Sequence, residues 1–258
     1  MSYHELLTII AILPVVLICI YVYRKDKNKE PSDLLMKLIL SGIVSCFLTL
    51  ILSSILSVVF PMLKKTSGEL TFLETIIQIF FGIAFVEEFS KFVMVYLFGY
   101  KSKEFDEIYD IIVYSVFVSL GFAAFENMLY VFGNVESAIS IGILRGLISI
   151  PGHACFALYM GYYLSLARLN KDKRNIYIIN SIFVPAILHG IFDFCLTMGN
   201  VLYIVLFLVF VITLYIISVK KLKRLSNENK KIFTQNYCSR CGEKVIGNYC
   251  GNCGKKRE

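Results

Sequence analysis

Apolar runs of about 20 residues or more, the length an α-helix needs to cross roughly 30 Å of hydrocarbon, recur along almost the whole chain. They fall near residues 5–23, 36–61, 71–99, 107–132, 138–168, 175–198 and 201–219. A soluble domain must keep a polar surface, and a chain that is 57% hydrophobic with a mean hydropathy of +0.69 has too little of one. The expected fold is therefore an all-α membrane protein, a polytopic bundle of about seven transmembrane helices.

The first run has neither a basic segment before it nor a small-residue cleavage pattern after it, so it reads as a span and not as a signal peptide. Its flank, Arg24-Lys25-Asp26-Lys27-Asn28-Lys29, resists translocation, which puts the N-terminus outside. The remaining loops agree: the expected inner loops hold eleven Lys or Arg, the outer ones only Lys64 and Lys65. Seven spans that start outside end inside, so the tail is expected in the cytoplasm of a multi-pass cell-membrane protein.

Nor does the formal charge of +7 point to nucleic acid. Residues 220–258 contain eleven Lys or Arg against Glu228, Glu243 and Glu258, a net +8 that leaves −1 for the membrane part. Lys220, Lys221, Lys223 and Arg224, directly after the last span, suit anionic headgroups. The chain thus divides into a membrane domain (1–219), a basic and polar linker (220–236) and a small tail module (237–258).

That module carries Cys238-Ser-Arg-Cys241-Gly and Cys250-Gly-Asn-Cys253-Gly. Two such knuckles turn four thiolates towards one tetrahedral zinc, and the glycine after each pair permits the tight turn. Cysteine fills every zinc position, which marks a structural site, and so short a module needs the metal to fold. The reading is a zinc ribbon, free to recruit a cytoplasmic protein partner. Cys19, Cys46, Cys155 and Cys195 lie singly in the spans and read as small hydrophobes.

Charged groups cost about 2.5–3.5 kcal/mol or more inside hydrocarbon, so those kept there mark function. The third span holds Glu87-Glu88-Phe-Ser-Lys91; on a helix Lys91 reaches one carboxylate at i+4 and the other at i+3. The fourth ends in Gly121-Phe-Ala-Ala-Phe-Glu126-Asn127, where Gly121, Ala123 and Ala124 let a neighbour approach and bring Glu126 against it. Asp110, near the inner end of that span, reads equally as a residue facing headgroups and as a functional one.

The fifth run is too long for one straight crossing, and Pro151-Gly152 is the expected break. His153 follows at the start of a new helical segment, with Arg145 before it. On the sixth span His189 and Asp193 are one turn apart, so the carboxylate can orient the imidazole. Counted from the inner ends, Glu87, Glu88 and His189 lie about 15–20 Å deep and Glu126, His153 and Asp193 about 25–30 Å, so the groups can meet in the outer half of the bilayer.

Glu87-Glu88-x-x-Lys91, Gly121-Phe-Ala-Ala-x-Glu126-Asn127, Pro151-x-His153 and His189-x-x-x-Asp193, in this order on successive spans, resemble the PrsW family of intramembrane proteases. The resemblance covers roughly 72–197. It implies kinship with the CAAX-prenyl endopeptidases and a membrane-anchored protein substrate, an anti-sigma factor for the family's name-giving member. It also implies catalytic roles for Glu87, Glu88, Glu126, His153 and His189, with Lys91, Asn127 and Asp193 in support.

The expected chemistry is peptide hydrolysis by a water that Glu87 or Glu88 activates. His153, His189 and one glutamate are equally a three-ligand set for a catalytic zinc. Buried Glu, His, Asp and Lys also suit a proton- or ion-coupled transporter or channel, and the tail alone suits a scaffold displaying a ribbon.

Overall fold

The computed structural model describes residues 2–228, 238, 240–241, 243 and 249–256. Among the described residues six helices, counting Ala138–Leu169 as one, are long and apolar enough to cross a membrane. The remaining expected span is helical without interruption from Phe72 to Tyr100 but changes pitch on the way: α3 (Phe72–Ile77), a π-helical stretch Gln78–Phe85, α4 (Val86–Met94) and a second π-helical stretch Val95–Tyr100. π-helix is rare and clusters at functional sites, and here it lies directly before Glu87-Glu88.

Local signals set the helix ends. Ser2 and Glu5 form a capping box at the start of α1 (Tyr3–Lys25), and Thr71 and Glu74 form another ahead of α3. α2 spans Ser32–Val59, α5 Ile108–Gly133 and α8 Arg174–Met198. Gly199 adopts φ +61° after α8, and Asn200 then caps α9 (Val201–Asn227) by accepting from Tyr203 N, so two residues turn the chain back on itself. α9 continues past the expected end at 219 through the basic residues 220–224.

The fifth run does break, but at Ile148, between α6 (Ala138–Leu147) and α7 (Ser149–Leu169). Pro151 occupies the third position of α7, in the first turn, where its missing N–H would have had no intrahelical partner. The Ile148 carbonyl accepts from Gly152 N and from the Tyr215 hydroxyl.

α5 is the axis of the bundle: 83% of its apolar stretch is buried, against 22% of that of α9, whose Leu202, Val209 and Ile212 face outward to lipid. Close packing of α5 on α2 requires glycine. A Cβ on Gly121 would come within 2.1 Å of the Ile39 carbonyl oxygen, and one on Gly42 within 2.0 Å of that of Val118. This is the close approach expected at Gly121, and it fixes the height of Glu126, five residues further on.

Asp110 does not face headgroups. It is 1% exposed and its Oδ2 accepts from the N–H groups of Asp106 and Glu107, closing the first turn of α5.

Candidate intramembrane active site

α4 delivers its two acids in different directions. Glu88 and Lys91 are wholly buried and lie 2.8 Å apart, whereas the Glu87 side chain keeps 12% exposure and reaches Lys91 Nζ at 3.3 Å. The ammonium also sits 3.1 Å from His153 Nδ1 and 4.0 Å from the centre of the Phe122 ring. A lysine ammonium can only donate, so Nδ1 of His153 is the acceptor and Nε2 carries the proton.

That proton points at Glu126, whose Oε2 lies 3.1 Å from His153 Nε2 and 2.9 Å from Arg145 Nη2. Arg145 also donates through Nε to Asn127 Oδ1 at 3.1 Å, and Asn127 Nδ2 donates to the Ala11 carbonyl of α1 at 2.9 Å. Asn127 therefore acts through Arg145 and ties three helices together. On the other side His189 presents Nδ1 to Glu88 Oε1 at 3.1 Å and Nε2 to Asp193 Oδ2 at 3.3 Å. Phe156 stacks on the His189 ring at 5.0 Å, and Ser119 donates to the His153 carbonyl.

All eight intramembrane positions expected from the sequence are thus in one network. Glu87, Glu126, His153, His189 and Asp193 line a single cavity of about 280 Å³ together with Arg145. The cavity reaches Tyr130 and Thr197, at the ends of α5 and α8. Glu88 and Lys91 are not on its wall. Arg145 belongs to the site on equal terms; an arginine inside an apolar run was the signal for it.

Glu87, His153 and His189 can each offer one ligand atom such that all three lie within 4.8 Å of one another. The same holds for Cys238, Cys241, Cys250 and Cys253 in the tail, a set able to hold zinc. Their sulfurs approach in two pairs, Cys238 with Cys253 at 3.3 Å and Cys241 with Cys250 at 3.4 Å, and all four thiols are free. Burial opposes ionisation of Cys250, but the N–H groups of Cys253 and Asn252 outweigh it and draw the thiol down to about 6. Gly254 takes φ +72° as a turn after the second pair demands; Gly242, residues 229–236 of the expected linker and residue 237 of the expected module lie outside the described residues.

A lipid-facing bundle that sets two glutamates, an aspartate, two histidines and an arginine around a polar cavity has the make-up of an enzyme working inside the membrane. Comparison with known proteins agrees. A model of the PrsW family of intramembrane metalloproteases matches residues 30–217, a longer stretch than the motifs alone covered. Protease PrsW of Clostridioides difficile is 37% identical over 234 residues, 89% of this chain and 95% of the relative. Protease PrsW of Oceanobacillus iheyensis is 33% identical over 84% of this chain and 94% of its own length, and that of Bacillus subtilis 33% identical over 84% and 94%. No solved structure matches the chain significantly. The chain belongs to the PrsW family and is an intramembrane peptidase; the transporter and scaffold readings gain no support.

Proposed function

We propose that the cavity hydrolyses peptide bonds of membrane-anchored proteins, with Glu87 as the base that activates water. The observation that carries this reading is the division of labour in the acid pair: Glu87 lines the cavity, while Glu88 is sealed off and engaged by Lys91 and His189. In this reading Glu87 takes the proton of the water as it attacks the scissile carbonyl, beside the His153 ring that Lys91 and Glu126 hold in place. His189, held through Nδ1 by Glu88, shares its Nε2–H between Asp193 and the developing oxyanion, and the proton on Glu87 then passes to the leaving amine. Glu126 holds the His153 tautomer, and Arg145 balances the charge of Glu126. No covalent intermediate is required.

A second reading rests on the three converging donors and on the family's description as metalloproteases. One carboxylate and two imidazoles fit a catalytic zinc by chemistry, and Glu87, His153 and His189 would hold it. When bound it would supply a Lewis acid for the carbonyl and a water of lowered pKa. Against this stands the Lys91 ammonium, within 3.3 Å of Glu87 and 3.1 Å of His153. Metal analysis of a chain lacking the four tail cysteines separates the two: a stoichiometric zinc that stays with it speaks for the metal and against the glutamate alone.

The tail is read as a structural zinc ribbon on the cytoplasmic side with a protein partner there, and the N-terminus as outside, following the Lys and Arg of the loops. The decisive test of the site is cleavage of a panel of single-span membrane substrates by purified protein beside Glu87→Gln and His189→Ala chains. Equal cleavage by the variants, or none by the wild type, would sink the assignment.

A further inference from the structure

A second acidic cluster lies away from the cavity, where the α1–α2 loop meets the start of α5. Asp26 and Glu30 come from the loop, and Glu107 and Asp110 from the cap and first turn of α5. All four are buried, with exposures of 3%, 7%, 4% and 1%. The active-site acids are matched by Lys91 and Arg145, but among the described residues no ion pair reaches Asp26, Glu30 or Asp110. The nearby Lys29 directs its ammonium to the carbonyls of Tyr23 and Asp26, and its charge acts on the Asp26 carboxylate only from beyond ion-pair distance.

Two oxygens in the cluster receive no N–H or hydroxyl. Asp26 accepts from Asn28 N on Oδ1 and Asp110 accepts two backbone N–H groups on Oδ2, while Asp26 Oδ2 and Asp110 Oδ1 are shut off from solvent with only the other carboxyl groups for company. Orphaned carboxylate oxygens in a buried site are costly and call for a counter-charge. Asp26, Glu107 and Asp110 can each direct one oxygen to within 4.8 Å of the other two. Oxygens bound to a cation at about 2.3–2.6 Å stand no more than roughly 5 Å apart, so three carboxylates at this spacing match a hard cation.

We propose that Asp26, Glu107 and Asp110, backed by Glu30, bind a hard divalent cation of the Ca²⁺ or Mg²⁺ type, which fastens the α1–α2 loop to the start of α5. The cation neutralises the crowded acids and fixes the base of the helix that carries Glu126 about 24 Å higher up. Nothing in the peptidase chemistry uses these residues, so the cation is structural.

The test uses the full chain in detergent, stripped of divalent ions, with Tb³⁺ as the probe. The chain has no Trp, and Tyr114, whose hydroxyl donates to Glu30 at 2.7 Å, is placed to sensitise Tb³⁺ emission. The expected result is saturable emission reversed by Ca²⁺ or Mg²⁺, with whichever ion competes better naming the occupant. Saturating amounts of that ion should also raise Tm by about 3 °C or more. An Asp26→Asn, Glu107→Gln chain with unchanged helix content should lose the emission and the Tm shift, whereas Glu87→Gln keeps both. Non-saturable emission together with a cation-independent Tm in the wild type, as expected if the acids simply share protons, overturns the proposal without any variant. So does a signal that survives in the double variant.

Discussion

The tail draws its four donors from one short stretch, 238–253, while the donors of the cavity come from α4, α7 and α8, spread from Glu87 to His189. In the tail the spacing CxxC on both sides brings the sulfurs together with little help from anything else, and cysteine closes all four positions. In the bundle no pair of donors is close in sequence; packing over the whole membrane domain brings them together, and a cavity is left beside them. A structural site can therefore be encoded locally, whereas a site that must admit a substrate is built from a scaffold.

The largest test of that contrast is activity. Glu87→Gln should lower cleavage of a single-span substrate by about 10²–10⁴-fold, whereas replacing the four tail cysteines by serine should leave cleavage in detergent unchanged and remove the tail's zinc. Comparable losses in both chains would break the distinction. Next comes stability. Lys91→Ala leaves the buried Glu88 with only His189 beside it, so unfolding in detergent should become easier by about 3–5 kcal/mol. Chelators, which would strip a zinc held by the tail cysteines, should leave that transition where it was.

A smaller effect is expected at the α2–α5 contact. Gly121→Ala forces a methyl against the Ile39 backbone, and overpacking of this kind costs about 1–3 kcal/mol. The bundle's Tm should fall while zinc content stays stoichiometric. The smallest concerns the ion pair between the tail and the α7–α8 loop, Lys171 to Glu243 at 3.1 Å, with both side chains about half exposed. Lys171→Ala should change stability by less than about 1 kcal/mol and activity not at all. A clear loss of activity would mean that the tail acts on the bundle through this contact.

The same contrast explains what could be read from the sequence. Span positions follow from length and hydropathy, and the site acids and histidines stand out because charge inside an apolar run is expensive. The four cysteines are legible for their spacing alone. The sealing of Glu88 could not be read, because it depends on which way the π-helical stretch Gln78–Phe85 turns α4, and a one-residue shift in helical phase has no local signature here. The break at Ile148 was displaced by three residues for a related reason: proline ends a helix that runs into it but starts one readily. The cluster around Asp110 was hidden because Asp26 sits among lysines and Glu107 in a polar loop; only the packing of α5 buries them.

α9 is helical over 27 residues, about 40 Å at 1.5 Å per residue, against a hydrocarbon thickness of about 30 Å. The excess stands clear of the bilayer, where Ser226 donates to the Lys25 carbonyl and Lys27 to that of Asn227. The last helix is therefore a post braced against the loop after the first. Such a brace makes the two ends of the chain's membrane domain one mechanical unit, so that a pull on the post is felt at the loop carrying Asp26 and Glu30 as well as at α7 and α8, on which it packs.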